Sequence, residues 1–319
     1  MKINKYIFIG LLLILQYNSH SQGCNDAGLC TMGDFGFNGK PNSQKYKSEL
    51  SYIFGLGEKQ TLVNTIQLDQ KISVFDNKGQ IVLRLPFHYI YGKLDQTYGI
   101  GDISLGLNYN YLQKKDLVAS FFVGGKLPTN DANKTKDGKG LPMVYQTSLG
   151  TYDLMLGLNL VYKKWNFGLG YQKPFGRNEN TYLRSDWTSE NDANNYYESY
   201  NLKRGDDLLL RINRIYISKS KKTQYNTSLV SLYRLQKDQI KKNGQDVSLD
   251  NSEGLTLNAN IGLTRFLENN DRISFSLSAP IITKEVRPDG LTRTLIFSIT
   301  YAFGKKKEKV LKPVELNIQ

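Results

Sequence analysis

Apolar and polar residues alternate through most of the chain. In GIGDISLGLNYNYL (99–112), Ile103, Leu105, Leu107, Tyr109 and Tyr111 take turns with Asp102, Ser104, Gly106, Asn108 and Asn110. That two-residue period belongs to a strand with one apolar and one polar face. The pattern returns in LMLGLNLVY (154–162), WNFGLGYQKPF (165–175), LTLNANIGL (255–263) and RISFSLSAPI (272–281). It predicts twelve strands, at about 48–57, 61–76, 80–91, 100–112, 116–127, 145–162, 165–175, 206–218, 224–237, 254–267, 271–284 and 291–303. The glycines of the first stretch do not form a phosphate-binding loop. Ser104 stands where G-x-G-x-x-G needs its third glycine, and no helical pattern follows.

The connections alternate as well. DNKG (76–79), QKKD (113–116), KK (163–164), SKSKKT (218–223) and ENND (268–271) are short, whereas 92–99, 128–144, 176–205, 238–253 and 285–290 are generally longer. The segment 176–205, rich in Asn, Asp, Glu, Ser and Tyr, reads as an exposed loop. Short turns at one end and longer loops at the other describe an antiparallel transmembrane β-barrel, all-β, with both termini on the short-turn, periplasmic side. A water-soluble barrel would put Lys and Glu on its solvated face, yet the second face here is mostly Gly, Ser, Asn and Thr. Aromatic residues gather at strand ends (Phe87, Tyr89, Tyr91; Tyr109, Tyr111; Tyr301, Phe303), as interfacial girdles do.

Composition completes the division of the chain. Residues 1–21 read as a signal peptide: Lys2 and Lys5 precede an apolar core, Ile7 to Leu15, and the small Ser19 and Ser21 flank His20, with cleavage expected after Ser21. A segment with a cysteine pair, 22–47, precedes the barrel, 48–303, and a basic tail, 304–319, follows it. Twenty-eight glycines and 21 tyrosines suit strands that show only half their residues to an apolar medium. The formal net charge of +13 is scattered over strand breaks, without the basic patch and interleaved aromatics that nucleic acid requires. The expected location is the outer membrane of a Gram-negative cell, with membrane lipid as the main partner.

YGIGDISLGLNYNYL (98–112) resembles the glycine–aspartate strand of a family of outer-membrane channels assigned to a MetA pathway of phenol degradation, with looser similarity in FFVGGKLPTND (121–131). Beyond about residue 180 the likeness is one of style. The amino-terminal QGCNDAGLCTMGDFG is similar instead to Bacteroidota barrels of unknown function. The resemblance implies a barrel fold and an outer-membrane location. The last strand, TLIFSITYAF, resembles the carboxy-terminal signal read by the barrel-assembly machinery, although the basic tail follows it.

If the apolar face meets lipid, the other face lines the lumen. The ionisable lining is then Asp69, Lys71, Arg84, His88, Asp102, Lys126, Asp153 and Arg272, with Asn108 among the neutral residues. These charges either pair across the lumen and close it, or flank a conducting path whose selectivity they set. A closed lumen predicts Asp–Arg or Asp–Lys neighbours. Inward Gly106, Gly157, Gly168, Gly170 and Gly262 either make room for a pore or admit large neighbours. Cys24 and Cys30 are the only cysteines, and in an exported chain a disulfide between them is the expectation. Lipid attachment at Cys24, or soft-metal binding with Met32, are the alternatives. The mature chain keeps one histidine, His88, with no triad around it in sequence, which argues against an enzyme. No cofactor or metal site is expected. The function expected is a passive channel for small solutes, hydrophobic and aromatic ones among them. The alternative is a closed barrel presenting its long loops and cysteine segment to a partner.

Overall fold

A computed structural model describes residues 46–187, 192–267, 271–291 and 293–304. The signal peptide, the Cys24–Cys30 pair and nearly all of the basic tail lie outside these residues. In chain order the strands are β1 (Tyr46–Gly57), β2 (Leu62–Val74), β3 (Gly79–Tyr91), β4 (Gln96–Ile100), β5 (Ile103–Lys114) and β6 (Leu117–Leu127). Two-residue β7 (Thr135–Lys136) and β8 (Lys139–Gly140) form a small hairpin before β9 (Tyr152–Tyr162), β10 (Trp165–Phe175), β11 (Asp207–Ile217) and β12 (Thr223–Arg234). A second hairpin, β13 (Gln239–Lys242) and β14 (Gln245–Ser248), precedes β15 (Gly254–Phe266), β16 (Arg272–Ile282) and β17 (Arg293–Phe303).

The long strands form one antiparallel sheet that closes on itself: each pairs with its sequence neighbours, and β17 returns to β1 from Ser48↔Phe303 to Leu56↔Leu295. β4 and β5 share one stave, since Ile100 lies across from Phe87 and Ser104 across from Arg84 of the same strand β3. The barrel therefore has twelve staves, and both barrel ends leave beside each other at the short-turn rim. Closure satisfies every backbone ladder without leaving an edge in lipid.

The stave break has a local cause. The Gly101 amide donates to the Pro86 carbonyl at 2.9 Å, but proline has no N–H to return. The His88 ring also fills the space where a side chain at position 101 would stand, with Nε2 only 2.2 Å from an ideal Cβ. Only glycine fits, and the strand bends across Gly101 and Asp102. Further along, a bulge between Asn110 and Leu112 ends the strict alternation that the sequence suggested as far as Tyr111.

The alternation sorts inside from outside. On β2, Thr65, Gln67, Asp69 and Lys71 are buried, while Ile66 and Leu68 are exposed on the outer wall. Leu156, Leu158, Leu160, Phe167 and Leu169 extend the apolar exterior around β9 and β10. Tyr89, Tyr162, Trp165, Tyr301 and Phe303 are exposed on the same surface towards its rims.

Two sequence expectations need correction. The strand read as 145–162 begins at Tyr152; residues 140–149 are instead a continuously buried segment inside the long-loop end. The segment 176–205 is not an exposed loop. Its Tyr182, Trp187 and Tyr196 pack with Ile90, Leu94, Leu141 and Tyr145, and its Leu202 packs with Met143, Ile240 and Leu291. Asn180 holds this cap together, its Nδ2 donating to the carbonyls of Ala132 at 2.9 Å and Leu141 at 3.0 Å. Buried polar loop groups thus find partners within the cap, as burial requires.

Candidate functional site in the barrel lumen

Strand parity sends eight of the nine predicted lining residues to the interior, and the ninth, Asp102, sits in the break between β4 and β5. Asp69, Lys71, Arg84, His88, Asn108, Lys126 and Asp153 are buried there, Asp102 is nearly so, and Arg272 is half-buried. The structure brings the charged ones into pairs. Asp69 and Arg84 face each other across β2 and β3 and make a two-pronged pair at 2.8 and 2.6 Å. Lys126 lies 3.1 Å from Asp102 and 3.0 Å from Asp153, its cross-strand partner. Near the short-turn rim, Glu49 collects Lys71 at 2.8 Å, Lys47 at 2.9 Å and Arg272 at 2.7 Å. His88 Nδ1 lies 2.8 Å from Thr65 Oγ1. The Asp–Arg and Asp–Lys neighbours expected of a closed lumen are present.

A larger network, outside the predicted set, ties the cap to the wall. Arg234 donates to Asp207 at 2.7 and 3.0 Å, to Asp238 at 2.6 and 2.8 Å, and to Asp289 at 3.0 Å. One guanidinium therefore joins β11, β12 and two separate loops. Arg204 reaches from a third loop to Asp153, which also accepts from Thr151 and Gln172. Burial opposes the charge on Asp289, but Arg234, Lys284 and Arg204 prevail and hold its carboxyl well below the usual range. At Asp238 burial prevails and pushes the carboxyl up against the pull of Arg234. Burial, with Arg234 nearby, pushes the Lys284 ammonium down. Asp207 and Arg234 could have been found by extending the alternation to the strand ends. Arg204, Asp238, Lys284 and Asp289 carry no periodic signal.

Below the network, Val82, Phe122, Met155, Leu209, Val230 and Leu232 point inward from β3, β6, β9, β11 and β12 and pack together. A Cβ at Gly106 would meet the Phe122 ring at 2.4 Å, so this inward glycine makes room for packing. The opposite sector, β15 to β17, carries Asn260, Gly262, Ser274, Ser276, Ser298 and Thr300 inward, all half-buried rather than buried. Against β1 to β3, β5 and β6, under the cap, lies a cavity of about 60 Å³, lined by Thr65, Gln67, Arg84, His88, Lys126 and Arg293 and by residues 146–149.

A closed, apolar-walled, polar-cored barrel of twelve staves belongs to the outer-membrane β-barrel class. No protein-family model matches the chain, and no curated protein sequence matches it. Among solved structures it is similar to an outer membrane channel of Pseudomonas putida F1, at a TM-score of 0.62 and 15% identity, covering 84% of this chain and 97% of that one. Weaker likenesses are to the NanC porin (TM-score 0.45, 11% identity, 82% of this chain and 100% of that one) and to the translocator domain of the autotransporter NalP from Neisseria meningitidis (TM-score 0.42, 11% identity, 88% and 93%). The first match establishes the fold of an outer-membrane barrel; the other two add no weight.

Proposed function

We propose that the protein is a passive outer-membrane channel for small solutes, with its short-turn rim in the periplasm and its cap facing outward. The observation that carries this reading is the unfilled sector. Asn260, Ser274, Ser276, Ser298 and Thr300 keep partial exposure although they face the interior. Water therefore reaches them from within. The path runs along this sector to the cavity beside β1 to β3 and is shut above by the cap. That the solutes include hydrophobic and aromatic compounds is part of the proposal. Planar-bilayer recording tests it: discrete current steps are expected, larger and more frequent when the cap is loosened. Silence from correctly folded protein, with or without the cap network, would overturn it.

A specific observation favours a second reading. The paired charges and the Phe122 cluster fill much of the cross-section, as in a closed barrel that presents its cap to a partner. The same recording separates the two.

A further inference from the structure

Two of the ion pairs beside the cavity share one orientation. Arg84 and Lys126 line it, whereas their carboxylate partners Asp69 and Asp153 stand behind them and do not. Each of these two pairs therefore turns its positive end to the cavity. Arg293 and His88 add basic groups to the same lining, and Thr65, Gln67, Ser104 and Thr147 add neutral polar ones. Asp102 is the one carboxylate among the lining residues. Both of its oxygens are already engaged, Oδ1 by Ser148 Oγ and Oδ2 by the Leu149 amide and Lys126 Nζ, each at 3.1 Å. Ile53, Val63, Ile90, Met143, Leu149 and Leu291 supply an apolar wall.

We propose that this cavity is a binding station for a small amphiphilic carboxylate. The anion lies against Arg84 and Lys126, and the hydrocarbon part against Ile53, Val63 and Leu291. Charge-assisted hydrogen bonds to a carboxylate are stronger than neutral ones, and the burial of Arg84 and Lys126 strengthens them further. Basic linings select anions in pores by the same physics. The cavity volume of about 60 Å³ suits a chain of a few carbons. It falls well short of the ~150 Å³ that admits benzene, so a ring enters only if residues 146–149 move. The inference rests on the channel reading for how the solute arrives.

The test uses propionate, propionamide and propylammonium, which share one apolar body and differ in charge. Saturation-transfer NMR on the full chain in detergent micelles is expected to show transfer to propionate and none to propylammonium. The double variant Asp69→Asn/Arg84→Gln removes the cation without stranding its partner, and heat-modifiable gel mobility confirms its fold. Propionate binding is expected to weaken at least about tenfold in that variant. Equal transfer to the two ions, or undiminished binding in the double variant, overturns the proposal. Liposome swelling separates this from the channel itself. Binding without swelling removes the channel and leaves the station; swelling at equal rates for both ions, with no binding preference, removes the station and leaves the channel.

Discussion

Two sectors of one barrel wall obey the same alternation and end in opposite states. From β2 to β12 the inward positions include long or bulky side chains, Arg84, Phe122, Lys126, Met155 and Arg234, and the small ones between them, such as Ser120, Asn159 and Ser228, are buried too. In β15 to β17, Asn260, Gly262, Ser274, Ser276, Ser298 and Thr300 are small and left half-exposed, whereas Thr256, Asn258 and Ile296 towards the cap, and Ala302 near the short-turn rim, are buried. Alternation decides which face is inside; side-chain size and charge pairing decide whether the inside is filled. The filled sector is also the anchored one, because its charges grip loops from above.

The filled sector should break first at Arg234. Arg234→Ala leaves Asp207, Asp238 and Asp289 buried together, and losing one partner of a buried ionic cluster costs about 3–5 kcal/mol. Denaturant unfolding in micelles should show that loss, and bilayer currents should grow as the cap loosens. Phe122→Ala empties the apolar cluster at a cost of about 3 kcal/mol. It should enlarge the current while leaving the cap closed, as judged by protease resistance of residues 176–205.

A pH titration probes the anchoring itself. Asp289 is held below the usual carboxylate range against its own burial, so its contribution is complete above the unfolded value near 3.9 and is lost as the pH falls through and below it. Asp238, raised by burial, acts in the opposite direction. Wild type should therefore lose cap stability on acidification below about pH 4, and Asp289→Asn should flatten that limb of the curve. The smallest effect on stability belongs to the open sector. Ser276→Leu should change unfolding by about 0.5 kcal/mol or less, since nothing large packs there. It should nonetheless narrow the path and reduce the current.

The sequence carried the barrel because strand, face and connection length all leave periodic traces. Twelve staves follow from the succession of strands and connections, and the inward set, Asp102 apart, and the apolar exterior follow from parity. The stave break was hidden, since it depends on Pro86 and His88 meeting Gly101 across a strand pair. The cap was hidden for a different reason. Asn178, Asn180 and Ser199 look solvated in sequence, but they are buried because Leu141, Tyr145, Tyr182 and Trp187 pack beside them. Polar loop composition says that backbone groups need partners; it does not say whether those partners are water. Arg204 and Asp289 were lost with the same loop.

The central claim is that the lumen is wet along β15 to β17 and sealed at the cap. Ser298→Cys, in a chain with Cys24 and Cys30 replaced by serine and reconstituted in liposomes of known orientation, tests it with a membrane-impermeant thiol reagent. Labelling from the short-turn side only, spreading to both sides when Arg234→Ala is added, is the predicted result. Equal labelling from both sides in the otherwise unaltered barrel, or none from either, would contradict it.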